Sequence, residues 1–346
     1  MLVQDFFTTT DGRTAKLYSL VNGSGFRADV TDMGGSLVSI FTPDKDGRLR
    51  DVLLGYQDPA EYESNPNFFG ALVGRVANRI GNGKLVLDGK LYQLELNDGA
   101  NRPNTLHGGQ SYGRRMWNAQ VIDDATLKLT IESPDMDANF PGNLSVEVIY
   151  HVTPDNAIEI DYRAVTDKTT AVNLTNHAYF NLNGEDSGIC SDHVVRSTAY
   201  AGTRVDSNLT PTGEVFKLTG IRDLSGGRKF EEIFESPELP YGFDDNFVIA
   251  EKSGTFRKEV FFVRSDASGI TLAVDTDQCG VQFYMGYWLD GSTIGKSNAA
   301  YNHYAGFCLE AQAWPDAVNH SSFPSIILRP DEVYTQKTVY RFGTAK

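Results

Sequence analysis

Cysteine is scarce in this chain, and the few present are not arranged for chemistry. Cys190, Cys279 and Cys308 are widely spaced and odd in number among 346 residues. No CxxC pair occurs, which argues against both a disulfide framework and a zinc knuckle. Positive charge is also in deficit: 31 Lys and Arg stand against 45 Asp and Glu, a net charge of −14. Nucleic acid and anionic membrane surfaces both select a basic face, so neither is expected as a partner. No apolar run approaches the ~18 residues needed to span a bilayer. The start, Met1-Leu2-Val3-Gln4-Asp5-Phe6-Phe7, lacks the basic segment and apolar core of a secretion signal. These absences predict a reducing, cytoplasmic address and a neutral ligand.

Helical periodicity is nearly missing too. Pro59 to Ser64 and Lys229 to Phe234 allow a turn or two, and no internal repeat, low-complexity tract or Pro/Gly/Ser-rich linker divides the chain. What is present is period two. Leu144, Val146, Val148, Tyr150 and Val152 alternate with Ser145, Glu147 and His151; after Pro154-Asp155-Asn156, Ile158, Ile160, Tyr162 and Ala164 alternate with Glu159, Asp161 and Arg163. Two such runs in succession read as antiparallel sheet with one wet face, which puts His151 at the surface. Phe26 to Asp32 and Leu37 to Phe41 read as further strands. Lys84 to Leu96 reads as a hairpin, because Asp88-Gly89 supplies the positive φ angles of a tight turn. The expected fold is all-β, a large antiparallel sandwich forming one domain over residues 1–346.

Six stretches carry residues that this scaffold does not require. Thr175-Asn176-His177-Ala178-Tyr179-Phe180-Asn181-Leu182 sets one histidine among amides and aromatics, after the apolar positions Val172 and Leu174. Such an imidazole can exchange a proton near neutral pH, and aromatics suit a sugar face. A satisfied core histidine would look the same. In Phe69 to Ile80, Gly70-x-x-x-Gly74 matches neither phosphate-binding loop. Asn78 and Arg79 offer donors suited to hydroxyl oxygens, although Arg75 and Arg79 could equally pair with structural carboxylates. Asn104-Thr105-Leu106-His107-Gly108-Gly109 leaves room for a ligand at the backbone, or is a plain turn. In Tyr241 to Phe247, adjacent Asp244 and Asp245 point oppositely on an extended chain, so one carboxylate faces any given site. Val281 to Trp288 is an aromatic strand in which packing does not explain Gln282. In Phe307 to Asn319, Glu310 sits inside an apolar strand, where a charge is costly unless paired. Burial would raise its pKa toward the range of a general base; an ion pair with Arg79 would be the structural account of it.

Together these stretches resemble the galactose mutarotases, or aldose 1-epimerases. The matching pieces are Gly74-Arg75-x-Ala77-Asn78-Arg79-Ile80, Leu106-His107-Gly108-Gly109, Asn176-His177-x-Tyr179-Phe180-Asn181-Leu182, Gly242-Phe243-Asp244-x-Asn246-Phe247, Gln282-Phe283-Tyr284 and Leu309-Glu310-x-Gln312. They occur in the family's order over nearly the whole chain. Asp245 departs from the histidine found after the aspartate in many members. The resemblance implies a β-supersandwich with an open groove, no metal and no organic cofactor. It implies Glu310 as general base, His177 as general acid, and His107 near the ring oxygen and anomeric hydroxyl. Asn78, Arg79, Tyr179, Asp244 and Gln282 would bind and orient hydroxyls. The reaction implied is interconversion of the α and β anomers of galactose or glucose by ring opening and reclosure. A carboxylate base with a protonated histidine predicts a bell-shaped pH dependence. The expected assembly is a monomer or weak homodimer. The alternatives are a sugar-binding module, a glycoside hydrolase using Asp244 and Glu310, and a metal enzyme using His107, His177 and Glu310, against which the lack of a short-spaced histidine pair argues.

Overall fold

The computed structural model describes residues 1–99, 101–109 and 112–345. Three antiparallel sheets dominate. The first runs in chain order through Leu2–Thr8, Thr14–Val21, Arg27–Thr31, Leu37–Pro43 and Leu49–Asp51. The second has nine strands and is centred on the run Thr126–Ser133, Leu144–Val152, Ala157–Thr166, Tyr334–Thr344, Ile270–Thr276 and Arg257–Ser265. The third has six, ordered Tyr179–Phe180, Phe307–Gln312, Gly280–Tyr284, Asp244–Val248, Ala201–Val205 and Pro211–Lys217. One hydrophobic cluster joins all three, with Leu20 and Val30 from the first, Val146, Ile160 and Leu272 from the second, and Phe283, Phe307 and Leu309 from the third. The fold is the expected antiparallel β-sandwich.

Local sequence explains the elements. Leu144–Val152 pairs residue for residue with Ala157–Thr166, and its even positions are buried while the odd ones are half-buried. His151 lies on that wetter face, its Nδ1 2.9 Å from Thr126 Oγ1 across the strand pair. Asp88 (φ 50°) and Gly89 (φ 80°) make the tight turn between Lys84–Leu87 and Lys90–Gln93. Among the described residues the α-helix is confined to Phe230–Phe234, and Pro59–Glu63 forms one 3₁₀ turn, capped by the Asp58 carboxylate on the Ala60 N–H.

The six-stranded sheet positions the site. Its register places Gln282 opposite Glu310, Asp244 opposite Tyr284, and Tyr179 opposite Cys308. Because side chains alternate along each strand, all six share one face. The other face carries Val281, Phe283, Phe307 and Leu309 into the core. The same alternation that builds the core therefore gathers one row of polar groups.

Candidate active site

Above that polar face opens a cavity of about 600 Å³, lined by Asn78, Arg79, His107, His177, Tyr179, Asp244 and Glu310. Seven of the eight residues singled out in sequence meet there. The eighth, Gln282, is buried on the same sheet face next to Glu310 and donates from Nε2 to Asp244 Oδ1 at 2.8 Å.

His177 follows the short strand Thr175–Asn176, which pairs with Leu72–Val73. Its N–H donates to the Ala71 carbonyl, and its own carbonyl accepts from Gly70 N–H at 3.0 Å. Gly70 has φ 63°, and a Cβ there would overlap the Leu37 carbonyl oxygen, so only glycine permits this approach. Asn176 donates to Gly70 O at 2.6 Å, which makes it a brace for the loop. The imidazole stacks on Tyr179 (5.1 Å, 22°) and on Phe68 (5.9 Å, 24°), with His107 edge-on at 5.1 Å. Its Nε2 lies 3.7 Å from Glu310 Oε1.

Glu310 is 2% exposed, and its Oε2 has no hydrogen-bond partner. Arg79 does not pair with it. The guanidinium instead donates from Nε to Asp98 Oδ2 at 2.8 Å, so the structural ion pair considered for Glu310 belongs to Asp98. Burial, reinforced by the charge of Asp244 and opposed by Arg79, holds the Glu310 carboxyl well above its ordinary range. Burial also pushes His177 down to about 4. Both shifts favour the uncharged pair, a carboxylic acid beside a neutral imidazole. That pair holds the same number of protons as carboxylate plus imidazolium, so the two states differ by moving one proton.

His107 is oriented through the backbone. Asn78 N–H donates to its Nδ1 at 3.2 Å, and its own N–H donates to the Asn78 carbonyl at 2.9 Å. With Nδ1 accepting, the neutral ring carries its proton on Nε2, a donor suited to an oxygen. Burial and the charges of Arg79 and Arg114 keep it neutral. His107, His177 and Glu310 have ligand atoms within 4.8 Å of one another. A cation would need the His107 Nε2 lone pair, which that tautomer does not offer, so the donor set fits a hydroxyl better than a metal.

Other features differ from the sequence reading. Arg75 is structural, but through carbonyls: it donates to Ser133, Pro134, Pro141 and Gly142 oxygens at 2.8–3.0 Å and reaches no carboxylate. Gly108 admits protein backbone and not ligand, since a Cβ there would strike Gly74 and Arg75. The aspartate pair divides as alternation requires. Asp244 lines the cavity, whereas Asp245 faces a smaller neighbouring pocket, 3.8 Å from Arg222, with burial raising its pKa to about 6. Phe68, Asp98 and Arg114 also line the cavity and were not singled out. Arg114 lies 5.3 Å over the Phe68 ring. Asp98, before Gly99, reads as an ordinary turn residue, so nothing in sequence marked it.

Comparison with known proteins identifies the family. A family model described as aldose 1-epimerase matches residues 16–341. The chain is 40% identical to human galactose mutarotase over 324 residues, covering 92% of each protein. It is 34% identical to aldose 1-epimerase of Escherichia coli K12 over 96% of each. Among solved structures, an aldose epimerase homologue from C. elegans superposes with a TM-score of 0.88 at 29% identity, over 96% of this chain and 100% of that one. Galactose 1-epimerase from Lactobacillus acidophilus shares the fold, with a TM-score of 0.85 at 24% identity over 100% and 99%. A sandwich whose polar sheet face gathers a buried Glu–His pair, matched over nearly its whole length by these relatives, belongs to the aldose 1-epimerase family.

Proposed function

We propose that the cavity binds a free aldose, galactose or glucose, and that Glu310 and His177 pass the two protons whose exchange opens and recloses its ring. The observation that carries this is the buried pair itself, 3.7 Å apart at the cavity wall, whose uncharged and charged forms interconvert by moving one proton. In the opening step the Glu310 carboxylate removes the proton from the C1 hydroxyl. The C1–O5 bond breaks with its electron pair going to O5, which takes a proton from His177 Nε2. An aldehyde results, with Glu310 now a carboxylic acid and His177 neutral. That is the pair that burial favours, so the protein environment stabilises the open-chain stage. Rotation about C1–C2 and the reverse transfers give the other anomer. A sugar hydroxyl donating to Glu310 supplies a hydrogen bond that its carboxylate lacks, which lowers its pKa and readies it as a base.

The remaining lining residues position the ring. Arg79, held by Asp98, and Asp244, held by Gln282, present charged groups to hydroxyls, and His107 presents an Nε2 donor. A sugar-binding module would have no use for a buried acid with an unpartnered oxygen beside a histidine. The three buried, unpaired cysteines support a reducing, cytoplasmic compartment. The test is NMR of fresh α-galactose, α-glucose and methyl α-galactoside with catalytic amounts of protein. Accelerated anomerisation of the free sugars with the methyl glycoside untouched is expected. Release of methanol would instead indicate a glycoside hydrolase, and no acceleration would leave a binding module.

A further inference from the structure

The Nδ1 edge of His177 meets a thiol. Cys308 Sγ lies 3.5 Å from it, and Cys308 is fully buried on the same sheet face as Glu310, opposite Tyr179 in the register. We propose that Cys308 is a positioning residue for His177: its sulfur holds the Nδ1 edge of the ring, so that Nε2 alone exchanges protons with the sugar and with Glu310. The inference rests on the role given to His177 above.

The chemistry follows from counting protons on the ring. As imidazolium, His177 carries N–H on both nitrogens; after Nε2 gives its proton to O5, the ring must keep Nδ1–H. A lone pair at Nδ1 stabilises both of those states, and a thioether or thiol sulfur is a weak acceptor. Sulfur suits the task because its pull is mild. A carboxylate at Nδ1 would fix the imidazolium and raise its pKa, which would oppose the return of the proton in the closing step. Burial and the charges of Glu310 and Asp244 hold the Cys308 thiol well above its ordinary range, so it stays S–H and takes no part as a base. The titratable and charged groups around the ring are Glu310 at Nε2, His107 at its edge, Tyr179 on its face, and Arg79, Asp98, Arg114 and Asp244 across the cavity. None of these is placed at Nδ1; the side chain found there is Cys308, and the ring also bonds to its own backbone.

The experiment compares wild type, Cys308→Ala, Cys308→Val, Cys308→Ser and His177→Ala by galactose mutarotation across the pH range. Enzyme enters each buffer by pH jump, and circular dichroism checks folding. Loss of the acceptor disfavours the imidazolium, so the Ala and Val variants should lose about tenfold in kcat with KM unchanged. Their acid limb should move down by the matching amount, about one pH unit. Serine keeps an acceptor and should restore both. The inference is overturned by wild-type kinetics in Ala and Val, by a fall in kcat with the acid limb unmoved, or by Ser behaving as Ala does. Full activity in His177→Ala would overturn the role of His177 itself, a separate failure.

Discussion

Glu310→Gln should make this protein more stable at neutral pH while removing its activity. Glutamine matches the protonated carboxyl in shape, and it cannot ionise. In the wild type Glu310 is 2% exposed with one oxygen unpartnered, and burial together with Asp244 raises its pKa well above the ordinary 4.5. Below pH 4.5 the carboxyl is protonated in both the folded and unfolded chains, and it costs nothing. As pH rises from 4.5 toward the raised folded value, the unfolded chain ionises while the folded one resists, so stability falls by about 1.4 kcal/mol per pH unit over that window. His177, lowered to about 4, works in the opposite sense: its contribution is lost as pH falls from 6.5. That loss is common to both proteins and cancels in the difference. Between 4.5 and pH 7 the Glu310 slope bounds the gain at about 3.4 kcal/mol. Urea unfolding followed by tryptophan fluorescence from pH 4 to 8 measures it. The variant's advantage should be near zero at pH 4 and grow above 4.5. A variant less stable than wild type at pH 7, or an advantage that does not change with pH, would refute the reasoning.

The pH profile and a buried arginine offer further checks. The rate should follow a bell whose acid limb belongs to His177, near 4, and whose alkaline limb belongs to Glu310, above 4.5; the sequence reading set the bell but not which group owns each limb. Persistence of the acid limb in the residual activity of His177→Ala would contradict the assignment. Arg75→Met should destabilise by at least about 1–3 kcal/mol, the cost of leaving a buried acceptor unsatisfied, because four carbonyls lose their donor. Unfolding midpoints within 1 kcal/mol of wild type, an order-of-magnitude bound for surface changes, would show the guanidinium to be dispensable.

The identity of the groups was far more legible in sequence than their partners. Glu310 stood out because a titratable group in an apolar strand violates the pattern that builds the rest of the sheet, and His177 because a lone imidazole sits among amides and aromatics. Asp244 and Asp245 were separable for the same reason, since alternation alone assigns them to opposite faces. Partners were not legible, because they arrive from distant segments. Arg79 looked as able to pair with Glu310 as with any other carboxylate, and only the loop carrying Asp98 decides the matter. Gln282 looked like a hydroxyl binder, and its bond to Asp244, a partner from a separate segment, was not readable beside it. Gly108 looked like room for a ligand, and the space is filled by the Gly74–Arg75 backbone. Pattern shows which residues the core did not ask for; packing determines what each one touches.

The most direct test of the proton-exchanging pair is polarimetry of fresh α-D-galactose with wild type, Glu310→Gln, His177→Ala and the double variant. General acid and base contributions are typically ~10²–10⁴-fold, and groups that act as a unit are not additive. Each single variant should therefore fall at least about a hundredfold, with the double no worse than the poorer single. Singles that keep a tenth or more of wild-type activity, or a double that multiplies the two losses, would contradict the account.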